Sequence, residues 1–222
     1  MLPISDSVKS HRFAFLNLIF VVINVFVFIL QLTTPDPEGF VNTFAFIPST
    51  IDFTNISTLY PFITSMFLHG GFLHIASNML FLWVFGDNVE GELPPLFYLL
   101  LYLGSGIVGS LSQYILDPTS SIPMLGASGA VAGALGAYFA YFPHHKIKTL
   151  IVIPPFITTT TISAFFMLGY WIVLQVISGA GSLGVSSDQG GVAYFAHIGG
   201  FAFGYIIAKV IPRKNPELTR IG

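Results

Sequence analysis

The sequence predicts an all-α polytopic membrane protein with six transmembrane helices. Of its 222 residues, 54% are hydrophobic and only 8% are charged, and the mean hydropathy is +0.80. Ordinary soluble domains carry about 25% charged residues, so lipid is the expected solvent for most of this chain. The spacing of the few charged residues predicts the number of helices. The positions of the basic residues relative to those helices predict their orientation in the membrane.

The charged residues leave six long charge-free windows. About 20 apolar residues cross the hydrocarbon core of a bilayer, so each window can hold one helix. The fifth window is longer than one span, and Pro154–Pro155 and the Gly/Ser-rich run Gly179–Gly191 are expected to lie outside its helix. The predicted helices lie near Phe13–Leu32, Phe72–Val89, Leu93–Leu116, Gly126–Phe142, Thr158–Ser178 and Val192–Ile211.

The basic residues predict the orientation of these helices. With six spans all eight Lys and Arg side chains fall on one side of the membrane; they are Lys9, Arg12, Lys146, Lys148, Lys209, Arg213, Lys214 and Arg220. Basic residues favour cytoplasmic loops, so both termini are expected in the cytoplasm. We expect one membrane domain over residues 1–222, with a long outer loop from Thr33 to Gly71 and no soluble domain at either end.

Amide side chains recur every seven residues along the first helix. Asn17, Asn24 and Gln31 therefore lie on one face of it. Amides in membrane helices hydrogen-bond to neighbouring helices, so we expect this face to point into the protein.

Three of the other helices carry polar side chains near their outer ends. His74 and Asn78 lie four residues apart on one face of the second helix. Ser128 begins the fourth helix and His197 begins the sixth. These helices all enter the membrane from the outer side, so the four side chains are predicted to lie at similar depth. Ionisable and amide groups inside spans are costly and mark functional sites.

Small residues indicate that Ser128 and His197 come together. Residues of this kind at helical spacing let two backbones approach closely. They line one face of each of the two helices below these polar side chains: Gly129, Ala132, Gly133 and Gly136 below the serine, and Gly200, Gly204 and Ala208 below the histidine.

A serine and a histidine in one pocket are typical of nucleophilic catalysis. The imidazole of His197 would take the hydroxyl proton of Ser128, and the oxygen would attack a carbonyl carbon. His74, Asn78 and the backbone N–H groups at the start of the fourth helix could stabilise the oxyanion. No Asp or Glu lies in an outer half-helix to orient His197, so a dyad without a metal or other cofactor is expected.

Other interpretations of the same residues are weaker. A lone membrane serine usually bonds back to its own helix, and a lone histidine is usually a polar bridge between helices. His69, His74 and His197 could bind zinc, but the H-E-x-x-H pattern of membrane metalloproteases is missing. An aspartyl protease needs two intramembrane carboxylates, and a transporter more often shows broken helices at mid-membrane. The sequence has no basic cluster that would bind nucleic acid. Because it has no cysteines, disulfides and thiolate metal sites are excluded.

Three segments of the chain resemble the rhomboid serine proteases in order and in spacing. They are TSMFLHGGFLHIASNMLFLWVFGDNVE (Thr64–Glu90), GASGAVAGALGAYFAYFP and AHIGGFAFG. The resemblance covers nearly the whole chain. It implies that Ser128 is the nucleophile, that His197 is the general base and that His74 and Asn78 line the oxyanion site. Family members often have Trp-Arg where this chain has Tyr60-Pro61.

The resemblance also implies a substrate and a location. The substrates would be membrane-spanning segments of other proteins, cut near the outer surface after a small residue. The plain six-helix organisation is similar to that of prokaryotic members, which implies the plasma membrane. The alternative is a non-catalytic rhomboid-like protein that binds membrane segments for transport or quality control, and the presence of both Ser128 and His197 argues against it.

The predicted orientation can be tested with two reporters of membrane sidedness. A reporter fused after Gly222 should lie in the cytoplasm, and one inserted near Gly184 should lie on the outer side. One predicted span, Val192–Ile211, separates the two sites. Two reporters on the same side would contradict the six-helix arrangement and the common depth of the polar residues.

Overall fold

The computed structural model describes residues 2–7, 12–153, 155–183 and 191–214. Within these ranges the chain is mostly helical, and its long helices lie where the sequence predicts them. The helices are α1 (Phe15–Thr33), α2 (Pro37–Phe44), α3 (Pro61–Thr64), α4 (Phe72–Phe81), α5 (Asp87–Glu92), α6 (Pro95–Leu116), α7 (Ser128–Tyr141), α8 (Ala164–Ser182) and α9 (Tyr194–Val210). A π-helical turn, Leu82–Gly86, joins α4 to α5 in one continuous helix.

Three of the described helices, α1, α6 and α8, are long and apolar enough to cross a membrane. A fourth candidate is a bent pair, in which Ile56–Phe67 and Phe72–Glu92 meet at 82°. With 14 and 17 residues, α7 and α9 are shorter than a typical span of about 20. Their positions agree with the predicted helices, and the crossing of the bilayer by all six stays a prediction.

The segment between the fourth and fifth predicted helices differs from the expectation. The fifth helix was expected over Thr158–Ser178, but α8 begins only at Ala164. The preceding residues form a hairpin of β2 (Lys146–Ile153) and β3 (Phe156–Ser163), and β1 (Leu2–Asp6) pairs antiparallel with β2. Hydropathy alone cannot separate an apolar strand from the edge of a span, whereas the β-branched run before α8 favours a strand.

The other end of α8 also differs from the expectation. The Gly/Ser-rich run Gly179–Gly191 was expected to be a loop, yet α8 continues to Ser182. A glycine inside a helix costs about 1 kcal/mol of stability relative to alanine. The glycines of this run therefore do not end the helix by themselves. The composition of Gly179–Gly191, immediately before the helix that carries His197, also predicts a mobile cap over the site; residues 184–190 of this run lie outside the described residues.

The outer loop is organised by short helices and by contacts to the start of α7. It contains α2, α3 and 3-10 turns at Pro48–Thr50, Ile56–Thr58 and Ser65–Phe67. An isolated antiparallel bridge joins Phe46 to Met124. The Tyr60 hydroxyl donates to the Thr43 carbonyl over 2.7 Å. These contacts hold the loop against the ends of the helices, next to the residues of the predicted site.

The amide face of α1 points into the protein, as predicted. Asn17, Asn24 and Gln31 are all buried. Each amide nitrogen donates to a group outside α1: Asn17 to the Leu82 carbonyl (3.1 Å), Asn24 to the Tyr102 hydroxyl (3.3 Å) and Gln31 to the His69 carbonyl (2.8 Å). The prediction that these side chains link α1 to its neighbours is confirmed.

The central helix α7 packs directly against the backbone of α9. All residues of α7 from Gly129 to Tyr138 are buried. A Cβ on Gly200 would collide with the Gly129 carbonyl oxygen, and one on Gly204 would collide with the Gly133 carbonyl oxygen. The small residues that the sequence singled out therefore form the contact between these two helices, and they fix how the helices sit relative to each other.

A methyl group at this contact should destabilise the protein. In Gly204→Ala the added carbon meets the backbone of Gly133, which no side-chain rotation can relieve. Overpacking of this kind costs typically 1–3 kcal/mol, so thermal unfolding in detergent should show a clearly lower midpoint. The matched control is Gly181→Ala on α8, where no atom lies within 4 Å of the added carbon. An equal loss in both variants would contradict the contact.

Candidate active site

Ser128 is the first residue of α7, and a glycine turn leads the chain into that helix. Gly126 has φ +121, a conformation that favours glycine, and its N–H donates to the Ser65 carbonyl over 2.9 Å. The first N–H groups of a helix have no intrahelical acceptor. The turn therefore presents the hydroxyl and the backbone N–H of Ser128 side by side.

His74 lies directly over this turn. A Cβ on Gly126 would come within 2.7 Å of the His74 Nε2 and Cε1 atoms, so only glycine leaves room for the ring. On the other side of the ring, the Gly70 N–H donates to His74 Nδ1 over 3.3 Å. Because an N–H can only donate, Nδ1 carries no proton and Nε2 carries it in the neutral ring. His74 is thus arranged to donate from Nε2 on the side of Gly126.

Asn78 lies one turn further along α4 and is buried. Its Nδ2 atom lies 3.8 Å from the Cβ position of Gly126 and has no hydrogen-bond partner among the described residues. A buried donor without a partner is costly, and such groups in native proteins call for an explanation, such as a role in binding or catalysis. The Asn78 amide is available to a ligand next to Ser128 and His74.

His197 lies in the first turn of α9, opposite α8. Its Nδ1 atom is 2.8 Å from Oε1 of Gln175, and its ring lies 5.8 Å from that of Trp171, with the planes inclined by 32°. No hydrogen bond joins the Ser128 hydroxyl to His197 in the described part of the chain. Catalytic contacts are often long before substrate binds.

One cavity of about 540 Å³ connects these residues. His74, Asn78, Ser128 and His197 all line it, so the four side chains that the sequence singled out share one space. Apolar side chains form the rest of its wall, among them Met66, Phe81, Val131, Leu135 and Trp171. A polar end beside an apolar lining suits a peptide carbonyl attached to an apolar segment.

His69, the third histidine of the zinc alternative, does not line this cavity. It is fully buried and packs edge-on against His74, with ring centroids 5.2 Å apart. Among the described residues no group of three His, Asp or Glu side chains is placed to hold a metal ion. Only two of the three histidines of the zinc interpretation, His74 and His197, therefore line the cavity.

The sequence analysis missed two residues of this site, Gln175 and Trp171. No Asp or Glu lies in an outer half-helix, so the sequence predicted no group that orients His197. The signal for Gln175 was nevertheless present, because it is the one amide in an otherwise apolar helix, α8. The same signal correctly predicted the buried amides of α1. Trp171 lies four residues earlier on the same face.

The comparisons with known proteins agree on one family. The Rhomboid domain family matches residues 57–214. The chain is 30% identical over 161 residues to Rhomboid protein 1, mitochondrial, of Saccharomyces cerevisiae, a match that covers 69% of this chain and 43% of that protein.

Two proteins of Bacillus subtilis are also similar. The putative rhomboid protease YdcA is 38% identical over 76 residues, covering 34% of this chain and 38% of that protein. The rhomboid protease GluP is 33% identical over 122 residues, covering 55% of this chain and 23% of that protein. The chain spans less than half the length of each of these three relatives.

Proposed function

The chain belongs to the rhomboid family, and we propose that it is an intramembrane serine endopeptidase with a Ser128–His197 dyad. In this proposal Ser128 is the nucleophile and His197 is the general base. His74, Asn78 and the backbone N–H of Ser128 form the oxyanion site. The observation that carries the proposal is the shared cavity, in which a serine, a histidine and an unpaired amide donor surround one space.

The reaction follows from the positions of the donors and acceptors. His197 takes the hydroxyl proton of Ser128, and the Oγ atom bonds to the scissile carbonyl carbon. The negative charge that develops on the carbonyl oxygen is stabilised by Nε2–H of His74, the Asn78 amide and the Ser128 N–H. The tetrahedral intermediate expels the amine, which takes its proton from His197. Water then adds to the acyl-enzyme by the same steps and releases the acid.

The proposed substrates are membrane-spanning segments of other proteins, cut near the outer surface after a small residue. A peptide bond inside a helix has its carbonyl hydrogen-bonded and shielded, so the segment must unwind before it can react. Glycine, proline or polar residues in the substrate favour unwinding. The relatives named as proteases support peptide-bond hydrolysis in the family.

The location and topology belong to the same proposal. We place residues 1–222 in one membrane domain of a plasma membrane, with both termini in the cytoplasm and the cavity near the outer face. The apolar helices α1, α6 and α8 support a position in the lipid bilayer. Water would reach the cavity from the outer side along its polar wall, so hydrolysis needs no metal to supply it.

A second candidate is a non-catalytic rhomboid-like protein that binds membrane segments. The cavity alone would suit either function. The Asn78 donor and the orientation of His74 favour the enzyme, because a binding protein for apolar segments has no use for an oxyanion site. A serine-reactive fluorophosphonate separates the two, since it labels only a serine that is activated as a nucleophile.

Loss of either member of the dyad should abolish activity without unfolding the protein. Ser128→Ala and His197→Ala should each lose cleavage of a model membrane substrate in proteoliposomes, and the double variant should be no worse than either single one. Fluorophosphonate labelling should disappear in Ser128→Ala.

Ser112→Ala is the matched control for the serine. Its hydroxyl donates to the Val108 carbonyl of its own helix over 2.7 Å, and it does not line the cavity. This variant should keep both cleavage and labelling. Substantial cleavage by Ser128→Ala or by His197→Ala would disprove the dyad.

The Asn78→Ala variant separates catalysis from packing. As a catalytic donor, the amide stabilises the developing oxyanion, and removing one such donor typically costs about 10²–10³ in rate. His74 and the Ser128 N–H remain, so we expect the lower end of that range, with KM nearly unchanged. As a packing residue, Asn78 would contribute about 0.6 kcal/mol of stability and little activity.

Two measurements on Asn78→Ala distinguish these roles. Fluorophosphonate labelling of Ser128 should slow in parallel with turnover, because attack of the serine on phosphorus, with loss of fluoride, develops negative charge on the phosphonyl oxygen at the same site. Normal turnover with a lowered melting temperature would instead assign Asn78 to packing between the helices.

A further inference from the structure

We propose that Gln175 is the positioning residue of the site and fixes the tautomer of the His197 ring. This inference rests on the proposed function, because it assigns a partner to the general base. It starts from the 2.8 Å contact between the Gln175 Oε1 atom and the His197 Nδ1 atom. An amide oxygen can only accept a hydrogen bond. The Nδ1 atom therefore carries the proton of the neutral ring, and Nε2 keeps its lone pair.

That tautomer is the one a general base needs. With Nδ1 occupied by Gln175, Nε2 is the remaining ring nitrogen and the one that can accept the proton of Ser128. Ser128 and His197 line the same cavity, in which His74 is the only other titratable side chain among the described residues. In serine hydrolases with a triad, a buried carboxylate holds the histidine in this way. Here a neutral amide would do so.

A second contact from the same helix fixes the plane of the ring. Trp171 lies one turn before Gln175 on α8, so the two side chains project from one face. Its ring centroid lies 5.8 Å from that of His197 and 6.2 Å from that of Phe201, which is one turn after His197 on α9. The histidine is held at its edge by Gln175 and beside its face by Trp171.

The position of Gln175 in the sequence supports a specific role. It is the only amide or charged side chain in α8, and its helical neighbours Leu174, Val176 and Ile177 are exposed apolar residues. An amide in an apolar helix is costly unless it is hydrogen-bonded. The only side-chain partner that the described residues give it is the ring nitrogen of His197.

The tautomer can be measured directly, without reference to activity. Histidine ¹⁵N NMR of the full-length protein in detergent, with the His197 signals assigned by their absence in His197→Gln, reports which nitrogen carries the proton. We expect the Nδ1–H form in the wild type and a mixture of tautomers in Gln175→Met. A wild type in the Nε2–H form, or the same spectrum in both proteins, would overturn the proposal.

Kinetics provide the second measurement. Gln175→Met keeps the length of the side chain but loses the acceptor, and kcat should fall about 2- to 10-fold, the value of one neutral hydrogen bond, with KM unchanged. Gln175→Glu keeps an acceptor and should retain turnover. Its carboxylate also stabilises the imidazolium, so the ascending limb of the pH–rate profile should move to higher pH by about 1 unit. An equal loss in both variants, without a change of profile, would overturn the proposal.

Gln113→Met on α6 is the matched control. Gln113 is another half-buried glutamine of a membrane helix, and it does not line the cavity. Its replacement should leave kcat and the pH profile unchanged. The proposed function is tested separately by fluorophosphonate labelling of the wild type: no labelling would disprove the protease, whereas normal labelling with unaffected Gln175 variants would disprove only the role of Gln175.

Discussion

The close contact between the backbones of α7 and α9 is the constraint on which the rest of the structure depends. Gly200 and Gly204 of α9 lie so close to the carbonyl oxygens of Gly129 and Gly133 on α7 that neither α9 glycine has room for a Cβ. Side chains of ordinary size would separate these helices. The distance between the first turns of α7 and α9, and with it the common cavity of Ser128 and His197, is therefore set by residues that have no side chain.

The helix α6 joins this contact from the other side, and polar contacts hold the opposite end of α7. A Cβ on Gly109 of α6 would come within 2.7 Å of the Ala196 carbonyl oxygen, immediately before His197. At the far end of α7 the Tyr138 hydroxyl donates to Asp6 of β1, and the Tyr141 hydroxyl donates to the Ile211 carbonyl over 2.8 Å. α9 is thus packed against α6 as well as α7 beside His197, and α7 is hydrogen-bonded at its far end, which suits a scaffold that must position a reactive group.

The sequence predicted the parts of the fold that follow from the distribution of charged residues and from the spacing of polar residues along a helix. Sparse charges indicated where the helices lie, and the period of Asn17, Asn24 and Gln31 indicated the buried face of α1. The β2–β3 hairpin was missed because β3 (Phe156–Ser163) carries no charge and lies in the same charge-free window as the fifth helix. The pairing of β2 with β1 joins residues that are distant in sequence. Local composition contains no signal for that pairing.

In the candidate site, too, some residues could be predicted from the sequence, whereas others depend on how the helices pack. His74, Asn78, Ser128 and His197 could be singled out because polar groups in a membrane helix are conspicuous and because their helices are predicted to enter the membrane from one side. Gln175 could not be assigned to His197 from the sequence, since the relative rotation of α8 and α9 decides which side chains meet. That rotation depends on the packing of Trp171 between His197 and Phe201, which is a property of the assembled helices.

A neutral orienting group suits a site that is built among membrane helices. Burying a carboxylate beside His197 would cost several kcal/mol of desolvation, and only a protonated histidine would offset that cost. An amide oxygen accepts the same hydrogen bond without a charge, so the ring stays oriented while both partners are neutral. In the proposed reaction the charge then appears only as the proton moves from Ser128 to His197. His74 and Asn78, the proposed oxyanion donors, line the same cavity, where they would stabilise the negative charge that forms on the substrate.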